Sequence, residues 1–146
     1  MKKAYAIIIR NGLILLVRRP GMPIWDLPGG DLLSNEKERD GMRRLIKEML
    51  SFESTVEDLI GIYTKEYHEE ITYVYKVQET VSQSPMESQD YAAFNFFDIH
   101  NLPLNIFPDR HRQIRDYLTG RYPVRWRFKR NTWLVRIEKF INKRKK

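Results

Sequence analysis

The sequence predicts one layered domain of mixed α and β structure, of α+β or mixed α/β class, followed by a basic amphipathic helix. Three observations predict it. Hydrophobic spacing changes along the chain in the order strand, strand, helix, strands, helix. The 146 residues are 42% hydrophobic and 31% charged, which suits a soluble domain that buries its own core. The charge is also divided. Residues 121–146 hold 11 Lys and Arg and one acid, Glu138, whereas residues 1–120 hold 15 basic and 18 acidic side chains. The formal net charge of +7 therefore belongs to the tail, and the expected division is a domain at 1–120 and a basic extension at 121–146.

The elements follow in order. Ala4–Ile9 and Leu13–Val17 are apolar runs flanking Asn11-Gly12, and Asn-Gly supplies the positive φ angles of a type I′ hairpin turn. Arg18–Gly30 holds three Pro and three Gly and reads as a loop. Ser34 or Asn35 is placed to cap a helix ending at Ser51, with Met42, Leu45, Ile46, Met49 and Leu50 on its apolar positions. Leu59–Lys65 and Ile71–Val77 have strand composition, and Ala92–Phe97 is a third run, with Phe94 and Phe96 on one face. Pro108 is suited to open a second helix, through Ile114 and Tyr117, that Gly120 closes. From Trp133, the apolar residues Leu134, Ile137, Phe140 and Ile141 form one helical stripe.

Composition also excludes. The chain has no Cys, so there is no disulfide framework, Cys-ligated zinc or thiol nucleophile. No apolar run approaches the ~20 residues of a membrane-spanning helix. Met1-Lys2-Lys3 and the following apolar run imitate a signal peptide, but Arg10-Asn11-Gly12 interrupts it and Arg18-Arg19 stands where a cleavage site belongs. The expectation is a cytoplasmic protein.

The chemistry is concentrated after Trp25. Trp25-Asp26-Leu27-Pro28-Gly29-Gly30 leads towards a helix; the two glycines let backbone approach a ligand closely, and a helix N-terminus favours anions. No Walker-type phosphate loop is present. Gly30, Glu36, Arg44, Ile46, Glu48 and Phe52 stand at spacings that resemble the Nudix box, G-x5-E-x7-R-E-U-x-E-E-x-G-U. Trp25 and Leu27-Pro28-Gly29 resemble its lead-in, and Phe96-Phe97, Leu102-Pro103 and Tyr117-Leu118 resemble the end of such domains.

The resemblance implies a Nudix α/β/α sandwich around a mixed sheet, and hydrolysis of nucleotide-linked or related pyrophosphates with Mg²⁺ or Mn²⁺. Carboxylates bind the hard cations, which in turn bind the phosphates. It assigns Glu48, Arg44 and Glu36 to the catalytic set, Gly29, Gly30 and Arg44 to substrate, and Glu48 with the Gly30 backbone to the metal. A brace between Glu36 and Arg44 is the structural alternative for that pair, and an i,i+4 ion pair with Arg44 is the alternative for Glu48. Family members often dimerise, so a homodimer is one expected partner.

The departures matter equally. Leu45 and Met49 stand where the box has Glu, and Ser51 where it has Gly. Positions 45, 48 and 49 share one helix face, so a three-carboxylate face has become Leu, Glu, Met. Asp40, Glu87 and Asp90 are further acids that could supply a ligand. Arg39 and Arg43 could touch phosphate, and Tyr63, Tyr67, Tyr73 and Tyr75 could stack on a base, although a solvated helix surface suits Arg39 and Arg43 better and packing on a sheet suits the tyrosines better. His68, His100 and His111 show no triad or metal spacing. Two functions compete: a metal-dependent Nudix hydrolase with a weakened metal site, which the surviving Gly30, Glu36, Arg44 and Glu48 favour, and a degenerate module that binds a nucleotide or partner without turnover. The basic tail could contact anionic membrane, nucleic acid or the body itself.

Overall fold

A computed structural model describes residues 1–80 and 93–128. The order is β1 (Lys2–Ile7), β2 (Ile9–Arg10), β3 (Leu13–Arg18), β4 (Trp25–Asp26), β5 (Gly29–Asp31), α1 (Glu38–Leu50), β6 (Ser54–Lys65), β7 (His68–Glu79), β8 (Ala93–Asp98), α2 (Pro108–Thr119) and β9 (Val124–Phe128). The architecture is an α/β/α layering with mixed sheets and two helices, as expected, but two sheets form the middle in place of one. A five-stranded sheet runs β5-β1-β7-β6-β9, and a smaller one joins β2, β3 and β4, with β8 on the other edge of β3.

The first strand explains the split. Ala4–Ile8 is apolar without alternation, and all five residues are buried, the mark of a strand covered on both faces. β1 pairs in parallel with β7 and antiparallel with β5. The chain then changes sheet at Ile8, so the expected single strand Ala4–Ile9 divides into β1 and β2. The hairpin itself is short: Ile9 and Arg10 pair with Ile14 and Leu13 around Asn11 (φ 51°) and Gly12 (φ 77°), the positive pair that a type I′ turn needs.

Alternation then sorts side chains between two cores. Ala4, Ala6, Leu15, Val17, Tyr75 and Val77 face α1, whose Met42, Leu45, Ile46 and Leu50 fill that side. Tyr5, Ile7, Ile14, Leu16, Ile60 and Val74 face the opposite way, towards Ile114 and Tyr117 of α2.

Several boundaries differ from expectation. α1 starts at Glu38, after Lys37, and neither Ser34 nor Asn35 caps it. Residues 34–35 instead form a turn that Glu36 closes by accepting the Leu33 N–H at 2.8 Å. Arg18–Gly30 is not all loop, because Trp25-Asp26 pairs with β3 and Gly29–Asp31 with β1. β6 and β7 extend beyond the expected runs, with register irregularities around Leu59 and Gly61. α2 runs from Pro108 to Thr119, and Gly120 (φ 69°) closes it as expected. β9, absent from the sequence reading, pairs in parallel with β6 from Gly61–Val124 to Lys65–Phe128. The helical stripe from Trp133, and Glu87 and Asp90, lie outside the described residues. Among the described residues no helix is long and apolar enough to cross a membrane.

Candidate functional site

The site is built from where α1 meets β5. Gly29 and Gly30 lie flat on β1, opposite Tyr5 and Ala4. Gly29 has φ 152°, and a Cβ there would stand 2.1 Å from the Ala4 carbonyl oxygen, so only glycine lets the two backbones meet. The glycine pair is thus a strand that forms one wall of the site.

α1 forms the adjacent wall. Arg44 donates from Nε and Nη2 to the two carboxylate oxygens of Glu36, at 2.9 and 2.6 Å, and from Nη1 to Glu48 Oε2 at 2.9 Å. A weaker contact runs from Nη2 to the Asp31 carbonyl at 3.4 Å. The bidentate pair holds the turn before α1 onto the helix, the brace expected for it. The Arg44 hydrogen bond holds the Glu36 carboxyl below the usual carboxylate range, and in return Glu36 holds Arg44 higher. Gly41 makes room for this pair: a Cβ there would stand 2.8 Å from Glu36 Oε1 and 2.4 Å from Leu32 Cδ2. Sequence spacing identified Glu36 and Arg44, whereas Gly41 was not singled out.

These walls bound a cleft of about 670 Å³. Gly30, Arg44, Leu45, Glu48 and Met49 line it, so every aligned position of the motif's reactive face does reach one cavity. Its far side comes from residues that sequence reasoning did not single out. Lys3 and Tyr5 project from β1, Arg19 from the loop after β3, Lys65 and Glu70 from the β6–β7 hairpin, and Asp109 and Arg110 from the start of α2. No local signal marked them, because six separate stretches of chain converge here.

Arg110 is the buried anchor of that far side. Its Nε donates to Asp26 Oδ1 at 2.5 Å, Nη1 donates to Gln113 Oε1 at 3.0 Å, and the guanidinium lies 3.6 Å from the Tyr5 ring centroid. Burial works against its charge, but the attraction of Asp26 and the Tyr5 oxygen outweighs it and the pKa rises. Lys65 is similar: burial lowers its pKa, while Asp109, 3.3 Å away, and Glu70 raise it further. Both cations are charged at neutral pH.

Other candidates lie elsewhere. Arg39 donates to the Val56 and Glu57 carbonyls at 2.6 and 2.7 Å, tying α1 to β6. Arg43 and Asp40 are exposed and outside the cleft. Tyr63 is buried, donates to Asp116 Oδ2 at 2.7 Å and stacks on Phe128. Tyr75 and Tyr73 pack on the α1 side, and Tyr67 sits in the β6–β7 turn, not on a strand. None of the three histidines lines the cleft.

A divalent ion does not fit the residues that the motif would use. Leu45 is 3% exposed and belongs to the α1 core. A Cβ on Gly30 would find Met49 Cε at 3.3 Å and Leu45 Cδ2 at 3.8 Å, so two apolar side chains occupy the space over the glycine. Glu48, the remaining carboxylate, faces a guanidinium. Among the described residues no group of three His, Cys, Asp or Glu side chains comes together to hold a metal. Hard cations require several oxygen ligands.

Comparison with known proteins agrees with the architecture. The NUDIX domain family matches residues 1–118. The Bacillus subtilis (strain 168) protein named "Putative 8-oxo-dGTP diphosphatase" is 28% identical over 136 residues, covering 92% of this chain and 91% of that protein. The Escherichia coli (strain K12) protein named "CTP pyrophosphohydrolase" is 31% identical over 74 residues, 48% of this chain and 55% of that protein. The crystal structure of a NUDIX hydrolase from Nitrosomonas europaea superposes with a TM-score of 0.78 at 16% identity, covering 88% of this chain and 78% of that one.

Proposed function

The chain belongs to the Nudix family, a family of pyrophosphohydrolases, and from that premise we propose that its cleft binds a nucleotide through the pyrophosphate without metal-assisted hydrolysis at the box helix. The observation that carries this reading is the pair Leu45 and Met49. They line the cleft and pack over Gly30, where the motif places two carboxylates. The ligand class is supported by the names of the two relatives, both of which specify nucleotide pyrophosphates. Within this chain Glu36 and Arg44 brace the wall, the Gly29-Gly30 backbone shapes it, and Arg110 with Asp26 fixes the opposite side.

A second reading, hydrolysis by a rearranged site, is favoured by the intact Glu36–Arg44–Glu48 arrangement. In it Glu48 is the reactive carboxylate and Mg²⁺ or Mn²⁺ is the family's usual ion; nothing among the described residues completes a ligand set. One experiment separates the two. The protein is incubated with CTP, 8-oxo-dGTP and ADP-ribose in Mg²⁺ and in Mn²⁺, beside Glu48→Gln. Binding without turnover predicts no release of monophosphate or pyrophosphate above the Glu48→Gln level, together with protection against heat by at least one nucleotide. Release that Glu48→Gln abolishes would establish the hydrolase.

A further inference from the structure

We propose that the pyrophosphate is held by the protein's own cations, Lys3, Arg19 and Lys65, with no divalent ion between ligand and protein. This rests on the reading that the cleft takes a nucleotide pyrophosphate, and it names what replaces the metal.

The first argument is charge. The cleft is lined by five cations, Lys3, Arg19, Arg44, Lys65 and Arg110, and by five carboxylates. Carboxylates at positions 45 and 49 would leave the same lining two charges negative, the deficit one divalent ion makes good. With Leu45 and Met49 those two negative charges are absent from the lining. An anion can then enter without first recruiting a cation.

The second argument is geometry. Arg44 is held by Glu36 and Glu48, Arg110 by Asp26 and Gln113, and Lys65 by Asp109 at 3.3 Å. Lys3 is held more loosely: its Nζ lies 3.8 Å from Asp31 and 4.0 Å from Glu70, too far for hydrogen bonds, and its side chain is 27% exposed. Arg19 reaches across the glycine strand, donating to the Gly29 carbonyl at 3.3 Å, and its Nη2 would stand 3.8 Å from a Cβ on Gly30. That places a guanidinium beside the space filled by Met49. Lys65, drawn between Asp109 and Glu70, supplies a third charge from the opposite side. Cations from β1, the β3 loop and the hairpin thus surround one polar volume, and the apolar patch of Leu45 and Met49 forms its floor on α1.

The test is calorimetric binding of CTP and of inorganic pyrophosphate to the full chain, in EDTA and then in Mg²⁺. Both probes are expected to bind in EDTA with a Kd that Mg²⁺ does not tighten by more than about threefold, and Lys65→Met should weaken binding in EDTA by about tenfold. Met49→Glu, at a half-buried position, should weaken binding in EDTA and regain it in Mg²⁺, because it restores a negative group beside Gly30. Binding that appears only with Mg²⁺, or a Met49→Glu variant indistinguishable from wild type in both buffers, would overturn the proposal while leaving the nucleotide reading intact. Absence of binding in either buffer would overturn both.

Discussion

Glu36 shows how one side chain organises the site. It accepts two hydrogen bonds from Arg44 and one from the Leu33 backbone, and its side chain is only 15% exposed. Glu36→Gln breaks the bidentate pair and is expected to lower stability by about 1–2 kcal/mol in urea unfolding at neutral pH. The pH dependence has a definite sign. The folded-state pKa is lowered from 4.5, so the pair's contribution is fully present above that value and is lost as pH falls through the lowered one. Wild type and Glu36→Gln should therefore converge in stability in the acid range, as unfolding at a series of pH values will show. Gly41→Ala tests the same pair from beneath. The methyl would press on Glu36 Oε1 and Leu32, so it should destabilise the protein although alanine is the better helix former. Glu36 and Arg44 were legible in the sequence because motif spacing is a one-dimensional property. The role of Gly41 was not, because the crowding that requires it comes from Leu32 and Glu36, five and more residues away.

At the scale of elements, helix ends and sheet edges carry the differences. α1 closes at Ser51, which sits at φ 58° and donates its N–H to the Lys47 carbonyl at 3.0 Å. The motif has Gly here, and the left-handed backbone explains why: serine pays steric strain that glycine avoids. Ser51→Gly is expected to raise stability by about 1 kcal/mol, read as a rise in Tm of roughly 3 °C. β9 is the larger surprise. Its Val-Arg-Trp-Arg-Phe sequence was read as the beginning of a basic extension, because three of the eight residues in 121–128 are Arg. Yet alternation places Trp126 against Arg112, at 3.7 Å, and Phe128 on Tyr63. Truncation after Gly120 should strip the outer edge of β6, uncover Tyr63 and cause a marked loss of cooperative thermal unfolding. Composition concealed this strand because its partner face is short and its Arg side chains are exposed, so charge dominated the pattern.

The whole molecule explains why the cleft was half legible. The α1 wall is contiguous in sequence, so Gly30, Arg44, Leu45, Glu48 and Met49 could be placed together from helical spacing and from the resemblance. The opposite wall is assembled by topology. The Arg110–Asp26 bond joins residues 84 positions apart, and Lys3 reaches the site only because β1 lies between β5 and β7. The same topology decides what the two lost carboxylates mean. Leu45 serves the core between α1 and the sheet as well as lining the cleft, so position 45 has been given over to packing, and a Glu there would be buried against apolar neighbours.

The Met49 methyl reports on this arrangement in solution. With ¹³C-methyl methionine labelling, and Met49→Leu to assign the resonance, CTP added in EDTA should shift the Met49 signal, while Mn²⁺ added alone should not broaden it saturably. Saturable broadening by Mn²⁺ alone, or a Met49 signal unmoved by CTP until a divalent ion is added, would place a metal where the structure has Leu45 and Met49 and would contradict a cleft that holds pyrophosphate by protein cations.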